Sequence, residues 1–354
     1  MFFLIPLLAQ QMQFGRENPN DGPYILWQKD TAEIIYFVNN EVYSKFLPSH
    51  ELADGELIIE ELDFQQKIFK NHTVSQSEYD DVEKFFALSD IHGQYDIFVQ
   101  ILQNNNIIDS AKNWIWDNGH LIILGDVLDR GSQVTECLWL IYRLLEQAES
   151  SGGAVHFLLG NHELMILQNR LHYVNEKYIE QAAKMNRSFA EFWQIDSEFG
   201  KWLRSLNTVI RVDDALFVHA GIHPKIAVRN LSIDSLNYLV RQNIDSNIKD
   251  EDDFLKMIFG NIGPFWYRGY VHPMDMYEKI TEQELDQILS FFNVSKIIIG
   301  HNTLERISYF YDRKIIGIDG GQKYGDRGEG LLKQAGKYFR CDARGNMMEI
   351  SSYK

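Results

Sequence analysis

The sequence predicts an α/β fold: one large domain of β-α-β units carrying two decorations. Three observations support this. Short apolar runs alternate with amphipathic helical patterns from residue 85 onward, each run ends in a compact polar group, and the stretches before 80 and around 164–205 break the rhythm. Apolar runs of this kind between helices mark strands buried on both faces and joined by right-handed crossovers.

The elements follow in order. Residues 1–20 open with MFFLIPLLAQQ, an apolar run with a small residue at Ala9 and no basic flank. They are expected to be an export-signal remnant or a disordered tip, which favours an exported or periplasmic location over a cytoplasmic one. Residues 21–80 hold YILWQ, EIIYFV and ELIIEEL, separated by Gly, Pro and Asn-Asn, and predict an N-terminal β-rich extension. The domain proper spans 81–354. FFALSD is a strand, YDIFVQILQ a helix, LIILGD a strand, 133–149 a long helix, and AVHFLLGN a strand. Residues 164–205 are aromatic-rich with helical spacing, so a helical insertion capping the sheet is expected there. Strands resume at VIRV and ALFVHAG, a helical stretch covers 233–258, and SKIIIGH, RISYFY and KIIGIDGG close the pattern.

Composition narrows the function. The 354 residues are 45% hydrophobic and 24% charged with only 7 Pro, as in a globular protein. A net charge of −16 gives no basic footprint for nucleic acid, and no stretch approaches the ~20 apolar residues of a membrane span. Two cysteines make neither a disulfide framework nor a Cys-based metal site, and Cys137 lies in an apolar helical pattern typical of core.

The polar groups at the strand ends carry the chemistry. They are Asp90-Ile91-His92-Gly93, Gly125-Asp126, Gly160-Asn161-His162-Glu163, His219-Ala220-Gly221 and Gly300-His301. Ligands of open α/β sheets bind at the carboxyl ends of strands. Residues two apart at a strand end point the same way, so Asp90 and His92 can grip one ion. Asp126 is the natural bridge to a second, and Asn161, His219 and His301 supply an amide oxygen and two imidazoles. Asp90, Asp126 and Asp129 could not crowd together without compensating cations. A lone strand-end Asp is more often a turn or cap residue, and a lone His a surface or core residue. The ordinary reading is kept for His50, His72, His120, His156, His172, His223 and His272, of the 11 present. The functional reading rests on five strand ends agreeing in order.

Asp-x-His-Gly, Gly-Asp-x-x-Asp-Arg-Gly and Gly-Asn-His-Glu in succession, followed by VHAG and IIGH, resemble the signature blocks of the phosphoprotein phosphatase family of calcineurin-like binuclear metallophosphoesterases. The resemblance covers roughly 85–321. Ser89 stands where the family usually has Gly. That departure, GPFWYRGY at 263–270 and the N-terminal extension are similar to the bacterial branch of Shewanella-like phosphatases.

The resemblance implies a four-layer α/β/β/α sandwich of two mixed sheets. It also implies two metal ions, Mn, Fe or Zn, ~3.5–4 Å apart and clamping a bridging hydroxide. Asp90 and His92 would bind the first ion, Asp126 would be shared, and Asn161, His219 and His301 would bind the second. Asn161, Arg130 and Arg268 would hold substrate phosphate; Arg268 could otherwise be a surface residue stacked on Trp266 or Tyr267. His162 would be the general acid and Asp129 its carboxylate partner. Glu163 is expected to brace the loop. Asp129 stands where purple acid phosphatases place a metal-binding Tyr, so no iron–phenolate colour is expected.

Three functions compete. The first is phosphomonoester hydrolysis on proteins, at phospho-Tyr or phospho-Ser/Thr. The others are a dinucleoside polyphosphate or nucleotide hydrolase, and a non-catalytic phosphate-binding regulator. The partners expected are a phosphorylated protein or small phosphoester, with a monomeric enzyme. The insertion and the 263–270 loop are expected to shape the pocket mouth.

Overall fold

The computed structural model describes residues 19–246, 252–271 and 278–352. Most of the 1–20 stretch, and His272, lie outside the described residues. An antiparallel sheet comes first, β1 (Asp21–Trp27), β2 (Thr31–Val38) and β3 (Glu41–Pro48), then a ribbon of β4 (Glu56–Ile59) and β5 (Phe64–Lys67). The residues grouped as an extension, 21–80, also contain β6 (Glu78–Tyr79), which pairs in parallel with a later strand, β10 (Val209–Val212).

Two larger sheets form the body. The strands that supply the first are β7 (Lys84–Leu88), β8 (His120–Ile123), β9 (Ala154–Phe157), β15 (Glu329–Gln334), β16 (Lys337–Asp342) and β17 (Met347–Glu349), in the order β17-β16-β15-β7-β8-β9. The second adds β11 (Ala215–Val218), β12 (Lys296–Ile299), β13 (Ser308–Phe310), β14 (Ile315–Gly317) and β18 (Ser351–Ser352), in the order β18-β13-β14-β12-β11-β10-β6.

Strand periodicity explains the layering. Side chains alternate faces along a strand. Phe85, Ala87 and Ile122 point between the sheets, where they meet Ala215, Phe217 and Ile298 in one cluster. Their neighbours Phe86, Leu88, Leu121, Ile123, Leu216, Val218, Ile297 and Ile299 point outward into the helix-covered core. Phe85 and Phe217 meet edge to face across the interior, centroids 5.1 Å apart. Strands buried on both faces need the continuous apolar runs seen in the sequence. The result is the expected sandwich, with helices on the outside of both sheets.

The long helix Val134–Ser150 buries Cys137 as core. The insertion comprises the helices Asn161–Leu167, Glu176–Lys184 and Glu198–Ser205 and a short 3-10 turn, Phe189–Trp193. It is joined to the β1–β3 sheet. Tyr24 stacks on Phe192 at 3.9 Å, and Trp27 donates to the buried Glu198, which also accepts from Tyr142 and pairs with His72. His72 is thus a satisfied interior histidine. The helical stretch 233–258 becomes two helices, Ile233–Asn243 and Asp253–Phe259, with 247–251 outside the described residues.

Strands β3 and β15–β18 went unforeseen in the sequence pattern. The β15–β16 hairpin turns through Ala335 and Gly336, at φ 50° and 72°. That primed turn usually carries Asn-Gly or Asp-Gly, so Ala-Gly conceals it.

Candidate metal centre and active site

Parallel pairing sets the position of the site. β7 and β8 are paired from Phe85–His120 to Leu88–Ile123, β8 and β9 from His120–Ala154 to Ile123–Phe157, and β11 and β12 end together at Val218–Ile299. Their carboxyl ends therefore lie level, and the residues just beyond them converge. The backbone then turns sharply: Asp90, His92, Asp126, Asp129, Arg130 and His301 all have φ between 49° and 69°. A left-handed conformation costs an L-residue roughly 1–2 kcal/mol, so the surrounding structure must impose it. Backbone bonds between the turns do so: the His92 amide donates to Asp126 and the Gly131 amide to His92.

Glycine is required at two of these junctions. A Cβ on Gly160 would lie 2.3 Å from an Asp126 carboxylate oxygen, and one on Gly300 would lie 1.7 Å from the Ser89 hydroxyl. The Ser89 hydroxyl, standing where the family usually has Gly, donates to Asp90 at 2.5 Å.

The first-turn carboxylate of Glu163 is fully buried and accepts four backbone N–H groups, from Asp126, Val127, Leu128 and Gly160, at 2.7–3.2 Å. Glu163 therefore braces the GDVLD turn against the GNHE turn, as expected.

All six expected ligands are buried and adjacent. His92 Nδ1 donates to the Leu128 carbonyl at 2.8 Å and His219 Nδ1 to the Leu124 carbonyl at 2.6 Å. Each thereby turns Nε2 toward Asp126, whose Oδ2 lies 3.7 Å from His92 Nε2 and 3.3 Å from His219 Nε2. Around His219 Nε2 also stand Asn161 Oδ1 at 2.9 Å and His301 Nδ1 at 3.2 Å. Carboxylate, amide oxygen and imidazole lone pairs aimed at one point repel unless a positive charge lies between them. His301 Nε2 is buried without a partner, while the His301 amide donates to Asp90. Two groupings of ligand atoms could each hold an ion: His92, Asp126 and His162, and Asp126, His219 and His301. They share Asp126, as a bridging carboxylate must. The nitrogen and oxygen donors suit a pair of transition-metal cations.

Electrostatics point the same way. Burial holds His92 and His301 well below the usual histidine range, so both stay neutral, as ligands must. Burial also opposes a charge on His219, but Asp126 overrides it and pushes His219 up to about 9, so without a cation His219 carries a proton that a metal bound there would displace. Burial, then the carboxylates of Asp319 and Asp126, push Asp90 up to about 8. Asp319, in the GIDGG turn, is fully buried, accepts from Thr303 at 2.6 Å and from the Gly321 amide at 3.0 Å, and went unassigned in the sequence reading. Three buried carboxylates in one region need cations to stay charged.

His162 lies beside this cluster. Its Nδ1 and Asp129 Oδ2 are 2.6 Å apart, leaving Nε2 free 3.8 Å from Asp126. Burial disfavours its charge, yet Asp126 and Asp129 outweigh burial and raise its pKa. Tyr173 of the insertion lies 5.2 Å from the His162 ring, and Arg130, exposed, holds its guanidinium 5.0 Å over Tyr173. Arg268 donates to the His301 carbonyl at 3.2 Å and Asn302 Oδ1 at 3.0 Å, so it stands at the cluster and not on Trp266 or Tyr267. Trp266 instead meets the His301 ring edge-on at 6.1 Å. The insertion and the 263–270 loop thus both reach the site.

A family model for calcineurin-like phosphoesterases matches residues 83–302. A crystal structure of a cold-active protein-tyrosine phosphatase from a psychrophilic Shewanella species superposes with a TM-score of 0.85 at 36% identity, covering 93% of this chain and 98% of that one. Shewanella-like protein phosphatase 1 of Plasmodium berghei is 29% identical over 248 residues, 66% of this chain and 68% of its own length. A symmetrical bis(5'-nucleosyl)-tetraphosphatase of Hamiltonella defensa is 29% identical over 143 residues, 40% of this chain and 45% of its own. With the signature blocks gathered into one buried ligand cluster on a four-layer sandwich, the chain belongs to the calcineurin-like phosphoesterase family, in its Shewanella-like phosphatase branch.

Proposed function

We propose that this chain is a metal-dependent protein phosphatase hydrolysing phosphomonoesters, with phosphotyrosine as its preferred residue. The carrying observation is the His162–Asp129 pair, 2.6 Å apart, directed at a cluster of metal-type ligands. Two cations, Mn, Fe or Zn, would polarise the phosphoryl oxygens and supply a nucleophilic water at neutral pH. Asp90 and His92 would hold one, Asp126 would be shared, and Asn161, His219 and His301 would hold the other.

The chain's own groups do the rest. Asp129 accepts a hydrogen bond from the His162 Nδ1–H, fixing the ring's orientation and keeping an Nε2 proton available at neutral pH. His162 Nε2 then donates that proton to the departing phenoxide or alkoxide. Arg130 and Arg268 hold phosphoryl oxygens through their planar forks, with the Asn161 amide beside them. Phosphotyrosine is favoured because Tyr173 and Trp266 give the mouth two aromatic walls against which a substrate ring can stack. By structure the protein-tyrosine phosphatase likeness extends over 93% of this chain, and by sequence a Shewanella-like protein phosphatase aligns with 66% of it, against 40% for the tetraphosphatase.

Two measurements test the reading. Phosphotyrosine and phosphoserine peptides, dinucleoside polyphosphates and phosphodiesters, assayed with Mn, Zn and Fe, should rank phosphotyrosine first. His162→Asn should lower kcat by ~10²–10⁴-fold while metal content stays unchanged. Loss of metal in that variant would make His162 a ligand and leave the reaction without its assigned acid.

A further inference from the structure

The segment 168–175 links the helix Asn161–Leu167 to the helix Glu176–Lys184 and borders the ligand cluster. Tyr173 contacts His162 from this segment; three residues earlier is Arg170. The Arg170 amide donates to the Met165 carbonyl at 2.8 Å, tying its position to the helix that begins with Asn161 and His162. Its guanidinium carbon lies 5.6 Å over the Trp266 ring, and Trp266 meets the His301 ring at 6.1 Å and 88°. Arg170 is therefore held one indole away from a ligand of the cluster.

The surroundings of Arg170 leave it short of acceptors. Its Nε is buried without a hydrogen-bond partner, and among the described residues no carboxylate forms an ion pair with it. Burial lowers its pKa, which marks a cation in a partly dry site. The chain has 50 acidic against 34 basic residues, so a half-buried guanidinium without an acid is not for lack of acids. A guanidinium with no acceptor of its own in a partly dry site favours one brought by a ligand. Arg268 already meets two acceptors of the chain, and Arg130 stands in solvent over Tyr173. Arg170 is different: half-buried, stacked and unmet.

We propose that Arg170, on its Trp266 support, is a specificity residue that binds a carboxylate of the substrate near the scissile phosphate. The substrate class is then a phosphotyrosine segment with Asp or Glu one to three residues from the phosphorylated side chain. An extended chain spans ~3.3–3.6 Å per residue, which matches a guanidinium two ring contacts from the cluster. The guanidinium fork takes a carboxylate bidentately, and a site this dry strengthens the pair. The proposal rests on the protein-phosphatase reading.

The test compares the holoenzyme on matched phosphotyrosine peptides bearing Asp, Asn or Lys at the flanking positions. The wild type should prefer Asp over Asn by about 10-fold in kcat/KM, mainly through KM, and 0.5 M NaCl should shrink that ratio. R170Q should bring the ratio to about 1–2, R170K should keep part of it, and R170E should favour the Lys peptide. A wild type active on peptides but indifferent to the flank overturns the proposal alone. So does an R170Q variant in which both peptides fall in parallel and the ratio stays. A wild type that cleaves dinucleoside polyphosphates and ignores every peptide overturns the protein-phosphatase reading, and the Arg170 proposal with it.

Discussion

Glu163 follows His162, the proposed acid, in sequence, yet its carboxylate is taken up by the backbone and accepts four amides of two turns. Glu163→Gln keeps the shape but offers one carbonyl oxygen in place of two and directs an NH2 group at other N–H donors. At least two amides lose their acceptor, at about 1–3 kcal/mol each. The expected outcome is a lower urea midpoint together with weaker metal retention, because Asp126 hangs from the same turn. An unchanged midpoint would mean the turn holds without it. The contact between Ser89 and Gly300 gives a second residue-level test. Gly300→Ala puts a methyl 1.7 Å from the Ser89 hydroxyl and 2.7 Å from Asp90 Oδ2. Metal content should fall sharply, and adding Ser89→Gly should restore part of it. Absence of rescue would place the clash on Asp90 itself.

At the scale of elements, two of the strands that carry expected ligands at their carboxyl ends also carry a pair of histidines. His120 begins β8 and His156 lies on β9, with Nδ1 and Nε2 3.0 Å apart. Burial, then the His120 charge, pushes His156 down to about 3. An unfolded chain protonates this histidine near its ordinary value of ~6.5, so the unfolded state binds the extra proton between the two values. The stabilisation is complete above about 6.5 and drains away as pH falls toward 3. Between pH 6.5 and 5 it amounts to about 2 kcal/mol at 1.36 kcal/mol per unit. His156→Gln should lose correspondingly less stability between pH 7 and pH 5 in urea titrations. Parallel pH curves for the two proteins would rule this out. The strand ends themselves were legible in the sequence, because a doubly buried strand must be apolar throughout and its polar terminus stands out. β3 and the β15–β17 strands were not, since half-exposed strands mix polar and apolar residues and the Ala335-Gly336 turn lacks the usual residues.

At the scale of the whole molecule, the centre gathers Asp90, Asp126 and Asp319 into the interior of a chain whose net charge is already −16. Removing the cations should leave those carboxylates opposed only by protons and imidazoles. Chelation is expected to lower the melting temperature by several degrees, since a ligand at 100 times its Kd contributes ~2.7 kcal/mol. Restoring Mn, Zn or Fe should reverse the loss; a melting temperature indifferent to chelator would argue against a resident metal pair. The sequence by itself determined the alternation of buried strands with helices and the order of the polar strand ends, because each depends on local pattern and short spacing. The sandwich, and the roles expected of His162 and Asp129, came from the resemblance of those blocks to a family. Tertiary structure alone decided which nitrogen of each histidine faces the cluster, that Asp319 joins the buried carboxylates, that Arg268 stands at His301, and that Arg170 rests on Trp266. Those contacts span loops and sheets far apart in the chain, and only packing sets the distances between them.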